Sequence, residues 1–189
     1  MNTKTRLSLF SSLLLIGLLA LITTGTDLGD EPPTATAPND MEIAHIAYTA
    51  GILDIRYAHL ALAISENPDV QAFAETMIRD HTAVNEKAVA LLQQLKATPQ
   101  DNPTSQKLIQ DAAKIRKELM ALEGATFDKR YAANELAYHQ FVNQTVENQF
   151  IPAVRNPQFK SLLASALRTF KVHEQHAEKL NSSLNQGEM

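Results

Sequence analysis

Ser65-Glu66-Asn67-Pro68-Asp69-Val70 ends one helix and starts the next. Proline has no amide donor and its φ is held at about −65°, so it suits the first turn of a helix and breaks the interior of one. Val154-Arg155-Asn156-Pro157-Gln158-Phe159 echoes the same corner. Each corner is flanked by two long stretches in which apolar residues recur every three or four positions. We read these as two helix hairpins of similar design. The first pairs a helix over about 40–65 with one from the corner to about residue 97, and the second pairs about 126–154 with 157–184.

Between the hairpins, Thr98-Pro99 and Asn102-Pro103 mark a loop, and a shorter helix follows from about Thr104 to Leu122 near Gly124. Its length of roughly 28 Å is enough to return the chain along most of a bundle. The fold expected is therefore all-α, a ferritin-like four-helix bundle of two hairpins joined by a short crossover helix, over residues 41–185. An up-down-up-down bundle would need only a short loop there. No alternating, strand-like run occurs from Met41 onward.

Lys4 and Arg6 precede an apolar run from Leu7 to Ile22. As a helix that run spans roughly 24 Å, short of the ~30 Å hydrocarbon core. Residues 1–25 thus read as a cleaved export signal. Thr and Gly stand where Ala-x-Ala is usual, which keeps an uncleaved anchor open. Residues 26–40, with Pro32, Pro33 and Pro38, form a polar linker. The expected location is extracytoplasmic, in the periplasm or cell envelope. Setting aside Lys4 and Arg6, 15 basic residues face 21 acidic ones, so the basic footprint of a nucleic-acid binder is missing. The absence of cysteine excludes disulfides, thiolate metal sites and a lipid-modified N-terminal cysteine.

Polar residues interrupt the apolar stripes. The last helix reads Phe159, Leu163, Ala166, Phe170, His173, Ala177, Leu180. The second reads Val70, Ala74, Met77, His81, Val84, Ala88, Leu91, Leu95, and the one after the crossover Ala132, Glu135, His139, Val142, Val146, Phe150. In the first helix Ala47, Ala50, Asp54, Tyr57 and Ala61 compete with a stripe through Leu53 and Leu60. Asp54 lies 13 residues before Asn67 and His81 lies 14 after it, while His139 and His173 each lie 17 from Asn156. The pairs sit about 20 and 25 Å from their corners. With the corners at opposite ends, all four meet near the middle. With both corners at one end, the pairs differ by about one turn.

An unpaired buried imidazole or carboxylate costs on the order of 1–3 kcal/mol or more. Several at one depth must therefore satisfy one another, through a metal ion or through a hydrogen-bonded network with water. Three imidazoles and a carboxylate suit copper, zinc or iron and are too rich in nitrogen for magnesium or calcium. Glu135, one turn from His139, is a further ligand, the acceptor that orients His139, or a solvated helix residue. Tyr57 and Tyr131 read as packing residues, and His59, His45 and His176 as lying outside the cluster. Asp80 points about 100° away from His81 and reads as a surface ion-pairing or capping residue.

Residues 41–182 resemble a bacterial family, domain of unknown function 4142, described as a predicted outer-membrane protein and classed as ferritin-like. The resemblance rests on Gly51-Ile-Leu-Asp-Ile55, on Asn67 through Met77-Ile-Arg-Asp-His81, and on Gly124-Ala-Thr-Phe-Asp-Lys-Arg-Tyr131. Tyr138-His139-Gln140 and Thr169-Phe-Lys-Val-His173 complete it. It implies a four-helix bundle, export and a metal site whose motif histidines are matched by His81, His139 and His173. Two positions depart from the family pattern, Asp54 where Glu is usual and Tyr138 where Asp is usual. The paired Glu-x-x-His motifs of di-iron ferritins are also missing, which argues against a ferroxidase or iron-storage role.

The metal reading makes the chain a small exported metal-binding protein acting in homeostasis or stress, with the metal ion as its partner. The network reading makes it an envelope interaction or structural bundle. An oxidase or peroxidase is a third reading, for which carboxylates are too few. No Ser-His-Asp order, phosphate loop or zincin motif is present, so no catalytic residue is assigned. Membrane contact is expected only through an uncleaved N-terminal segment, and no protein partner is indicated.

Overall fold

The computed structural model describes residues 37–186. The expected signal or anchor at 1–25 and the linker up to residue 36 lie outside the described residues. The chain is all-helical, in the order α1 (Asp40–Ile64), α2 (Pro68–Leu95), α3 (Pro103–Leu119), α4 (Gly124–Thr145), a π-helical segment (Val146–Phe150), α5 (Ile151–Ala153) and α6 (Pro157–Gln186). Among the described residues there is no strand, and no helix is long and apolar enough to cross a membrane.

The same local chemistry starts three of these helices. Asn67 accepts from the amides of Asp69 and Val70, Asn102 from that of Ser105, and Asn156 from that of Phe159. In each case proline follows, where its missing donor costs nothing. Asn39 caps α1 reciprocally with Glu42.

α1 packs against α2 and α4 against α6, while α2 also meets α6, α1 meets α4, and α3 lies along α1. Two contacts fix the direction of the hairpins. The Asp40 carboxylate accepts the backbone amides of Arg155 and Asn156 at 3.0 and 2.8 Å, which places the start of α1 at the second corner. The Ser65 hydroxyl donates to Asp128 at the start of α4, which places the first corner at the opposite end. Of the two arrangements left open by counting, the corners at opposite ends are the one observed. α3 starts where Asn102 donates to the Glu42 carbonyl and ends where Arg130 of α4 grips Glu118 at 2.6 and 2.9 Å. Its 17 residues therefore carry the chain from one end to the other, about 25 Å.

Two apolar clusters occupy the two ends. One gathers Leu53, Tyr57, Val70, Met77, Phe127 and Tyr131, and the other Ile43, Ile46, Val146, Phe150, Phe159 and Leu163. Burying each of the larger side chains contributes about 1.5–3 kcal/mol. Between them lie Asp54, His81, Glu135, His139 and His173, all buried. On α1 the two competing stripes are reconciled, since Leu53, Asp54, Tyr57, Ala58 and Ala61 are all buried.

Three expectations are corrected. The helix after the crossover does not run uniformly from 126 to 154. The Ile151 amide bonds the Val146 carbonyl, five residues back. Pro152 has no amide to donate and its ring would clash with the carbonyl of Asn148, so the preceding turn opens to the wider π spacing. On α2 the distal half of the stripe is not core: Val84, Ala88, Leu91 and Leu95 are only half-buried, because the helices stand apart around a cavity at this end. The crossover helix begins one residue earlier and ends three residues sooner than its sequence limits, its start being set by Asn102 capping and not by apolar spacing.

Asp40 is the tie between the start of α1 and the second corner. Asp40→Ala should lower stability by about 1–2 kcal/mol, the net worth of amide bonds to a half-exposed carboxylate. This would be read as an earlier urea midpoint at unchanged slope, and an unchanged midpoint would show that the tie contributes nothing.

Candidate metal centre

Four helices supply one layer: Asp54 from α1, His81 from α2, Glu135 and His139 from α4, and His173 from α6. The three imidazole centroids form a triangle with sides of 5.3, 5.5 and 5.7 Å. One ring nitrogen from each histidine lies within 4.8 Å of the others, and a second group of the same compactness joins Asp54, Glu135 and His139. His139 belongs to both. Every residue assigned to the layer from sequence is brought into it, and Glu135 is fully buried, not solvated. His59 and His176 are exposed, and His45 stands 3.8 Å from Asp101 near the start of α1.

Hydrogen bonds set the tautomers. The His139 Nδ1–H donates to the Glu135 carbonyl at 2.9 Å, because a carbonyl can only accept, so the lone pair sits on Nε2. The His173 Nε2–H donates to Asp80 at 3.0 Å, which leaves the lone pair on Nδ1. Asp80 is held down to about 2, first by its bond to Arg79 and further by His173, so it is the ionised acceptor that orients the His173 imidazole. His81 has no hydrogen bond on either nitrogen, and its ring is stacked on Phe170 at 4.5 Å.

The role of Asp80 was missed in the sequence. It does pair with Arg79 at the surface, as expected, but its other partner is His173 across the α2–α6 contact. Pointing 100° away from His81 turns it toward a neighbouring helix, and only the adjacency of α2 and α6 makes that useful. Tyr138 donates to the Ala50 carbonyl at 2.9 Å and sets its ring edge against Tyr57 and His139. It thus braces α4 against α1 without entering the layer as a charge. Tyr57 and Tyr131 are buried in the apolar cluster, as packing residues should be.

Burial keeps the layer uncharged in the absence of a cation. It pushes Asp54 up to about 8, and burial with the neighbouring Asp54 carboxylate drives Glu135 well above the usual range. Burial brings His139 down to about 4 and His81 well below 6.5, the latter also through the other two histidines. The 3.5 Å approaches of Asp54 Oδ2 to His81 Nε2 and His139 Nε2 are thus contacts between neutral groups at neutral pH. A bound cation would invert this balance by favouring the Asp54 carboxylate.

The donor set fits a transition-metal ion. Among the described residues, both oxygens of Asp54, both nitrogens of His81, Nε2 of His139, Nδ1 of His173 and Oε2 of Glu135 are buried without a hydrogen-bond partner. Leaving such groups unsatisfied is costly, and one atom from each residue falls into one of two compact groups that share His139.

Fold and site together define an all-helical protein with a buried histidine–carboxylate layer. A family model described as domain of unknown function (DUF4142) matches residues 26–180, and the chain belongs to this family. No curated protein and no solved structure matches it.

The layer makes stability depend on pH in two opposing ways. Asp54 stays protonated in the fold up to about 8 but ionises above 3.8 in the unfolded chain, so its contribution falls as pH rises through that window. His139 stays neutral in the fold down to about 4 while the unfolded imidazole protonates below 6.5, so its contribution is lost as pH falls. Asp54→Asn removes the first effect alone. In chelator, the variant should gain on the native chain by more than about 1 kcal/mol between pH 5 and pH 8. A stability difference between the two that does not move with pH would mean that Asp54 is not held as a buried acid.

Proposed function

We propose that this chain is an exported, ferritin-like bundle that holds a transition-metal ion, copper, zinc or iron, in metal homeostasis or stress. His81, His139 and His173 are the nitrogen ligands, Asp54 is the fourth ligand, and Glu135 stands behind as support. The observation that carries this reading is the convergence of unpartnered lone pairs from four helices in a buried layer. Such a layer is satisfied at once by one cation. The nitrogen-rich donor set favours these metals over magnesium and calcium. Two hairpins running in opposite senses, linked by a crossover that spans the bundle, support the ferritin-like topology. The basic and apolar leader supports export to the periplasm or envelope, with the bundle over 41–185 as the functional domain.

A second reading has its own support. With Asp54 protonated, its carboxyl can donate to the Nε2 of His81 or of His139, each 3.5 Å away. The layer would then be a metal-free network in a structural or interaction protein.

Elemental analysis of the protein purified from its native compartment separates the two. About one equivalent of copper, zinc or iron is expected in the native chain, with at least a tenfold loss when His81, His139 and His173 are all changed to Ala. Equal metal in both, or none in either, would leave the network reading. Because Asp54 must release a proton to ligate, metal affinity should fall about tenfold per pH unit from pH 8 to pH 6. In Asp54→Asn the affinity should be weaker and nearly flat over that range. The same slope in both proteins would remove Asp54 from the ligand set.

A further inference from the structure

A cavity of about 310 Å³ opens directly onto the layer, on the side of the second corner. Asp54, His81 and His139 form its polar floor, and its walls are almost entirely apolar. Protein interiors are close-packed, with few voids larger than a water molecule, so a space of this size beside a polar cluster has to be accounted for. It falls at the lower edge of the range of small-molecule sites.

Three features of this chain keep the space open. α1 lines it largely with small residues, Ala44, Ala47, Ala50 and Gly51, beside Ile46 and Tyr48. Gly51 lets α1 approach α2 so closely that a Cβ there would stand 2.6 Å from Asn85 Oδ1. That contact pins the two helices at the level of the layer, while Val84 and Ala88 beyond it remain half-buried around the opening. The π-helical turn then sets Val146, Gln149 and Phe150 into the far wall. Such turns occur often at functional sites. Asn85 lines the cavity and is 7% exposed, with its Nδ2 amide unpartnered, so a second polar group awaits a ligand oxygen.

We infer that this cavity binds a small molecule with an apolar body and one oxygen-acid head, a phenol or carboxylic acid, whose head sits on the His81–His139–Asp54 floor. Apolar walls take the body through the removal of its surface from water. The head must satisfy imidazole lone pairs, which a neutral O–H does by donating to His81 or His139, while Asn85 donates to the head oxygen. With a cation in the layer the same oxygen, deprotonated, completes its coordination. An oxygen acid therefore suits the floor with or without a metal. A purely apolar molecule would leave the floor unsatisfied, and a cationic head would meet a bound metal with like charge. The inference goes beyond the metal reading and shares only the floor residues with it.

The test uses the full chain and 4-ethylphenol, with ethylbenzene as its counterpart lacking the head, in calorimetric titrations of chelated and of copper- or zinc-loaded protein. 4-Ethylphenol should bind at least tenfold more tightly than ethylbenzene. Filling the walls by Ala88→Phe or Ala47→Leu should weaken it at least tenfold, with helical circular dichroism and metal content unchanged. Imidazole ¹⁵N shifts of His81 and His139 should move on binding to the chelated protein. Failure to bind 4-ethylphenol in either form, or unchanged affinity in both folded filling variants, would overturn the inference. Equal affinity for ethylbenzene would overturn recognition of the head. Metal uptake without probe binding sinks this inference alone, and probe binding by a chain that takes up no metal sinks only the metal reading.

Discussion

Neutral imidazoles and protonated carboxyl groups buried between helices find few backbone partners, because almost every interior amide and carbonyl of a helix is already bonded within it. Apart from His139 on the Glu135 carbonyl, His173 on Asp80 and Asn134 on Glu135, the polar atoms of His81, His139, His173, Asp54 and Glu135 can be satisfied only by one another or by something they hold. This requirement organises the molecule. The five residues must reach one level, so the hairpins must keep a fixed register, and the apolar side chains divide into one cluster on each side of the layer. A slip of one helix by a turn would bury an imidazole among alkyl groups, at a cost comparable to a substantial part of a domain's net stability.

Register is held at the ends as well as in the middle. Asp40 on the amides of the second corner, Ser65 on Asp128 at the first, and Arg130 on Glu118 at the end of α3 each join separate helices. All three use charged or short polar groups against a helix terminus or a neighbouring carboxylate, where orphan donors and acceptors are available. Orientation of the histidine rings is a separate matter, settled by second partners. The Glu135 carbonyl acts on His139 and the Asp80 carboxylate on His173, while His81 is positioned by stacking on Phe170. The least constrained ring is thus one of the two that face both the layer and the cavity.

The two ends of the bundle are not equivalent. Beyond the layer toward the first corner, Phe127, Tyr131, Met77 and Val70 close the core fully. Toward the second corner, alanines on α1 and residues of the π turn before Pro152 line a cavity, and α3 adds Thr104 and Leu108 to its wall. Each half carries an apolar cluster, and the second also leaves a cavity beside the layer. Tyr138, whose hydroxyl reaches the Ala50 carbonyl, bridges α4 and α1 at the boundary.

Much of this is legible in the sequence because it is local. Asn-Pro corners, helical spacing and the level of each polar residue measured from its corner depend on bonds within a few residues, so the helices and the depth of His81, His139, His173 and Asp54 follow from the chain alone. The π turn left a mark as well, in Pro152, although apolar periodicity ran past it unchanged. What tertiary structure decided depends on which helices become neighbours. The corners fall at opposite ends because Asp40 and Ser65 find partners more than 60 residues away. Asp80 becomes the partner of His173 because α2 lies against α6, and the half-buried residues of α2 face a cavity because small side chains come to lie opposite them. Periodicity along one helix tells how deep a residue sits and on which face. It carries no information about what stands across from that face, since that is set by packing energies summed over residues distant in sequence.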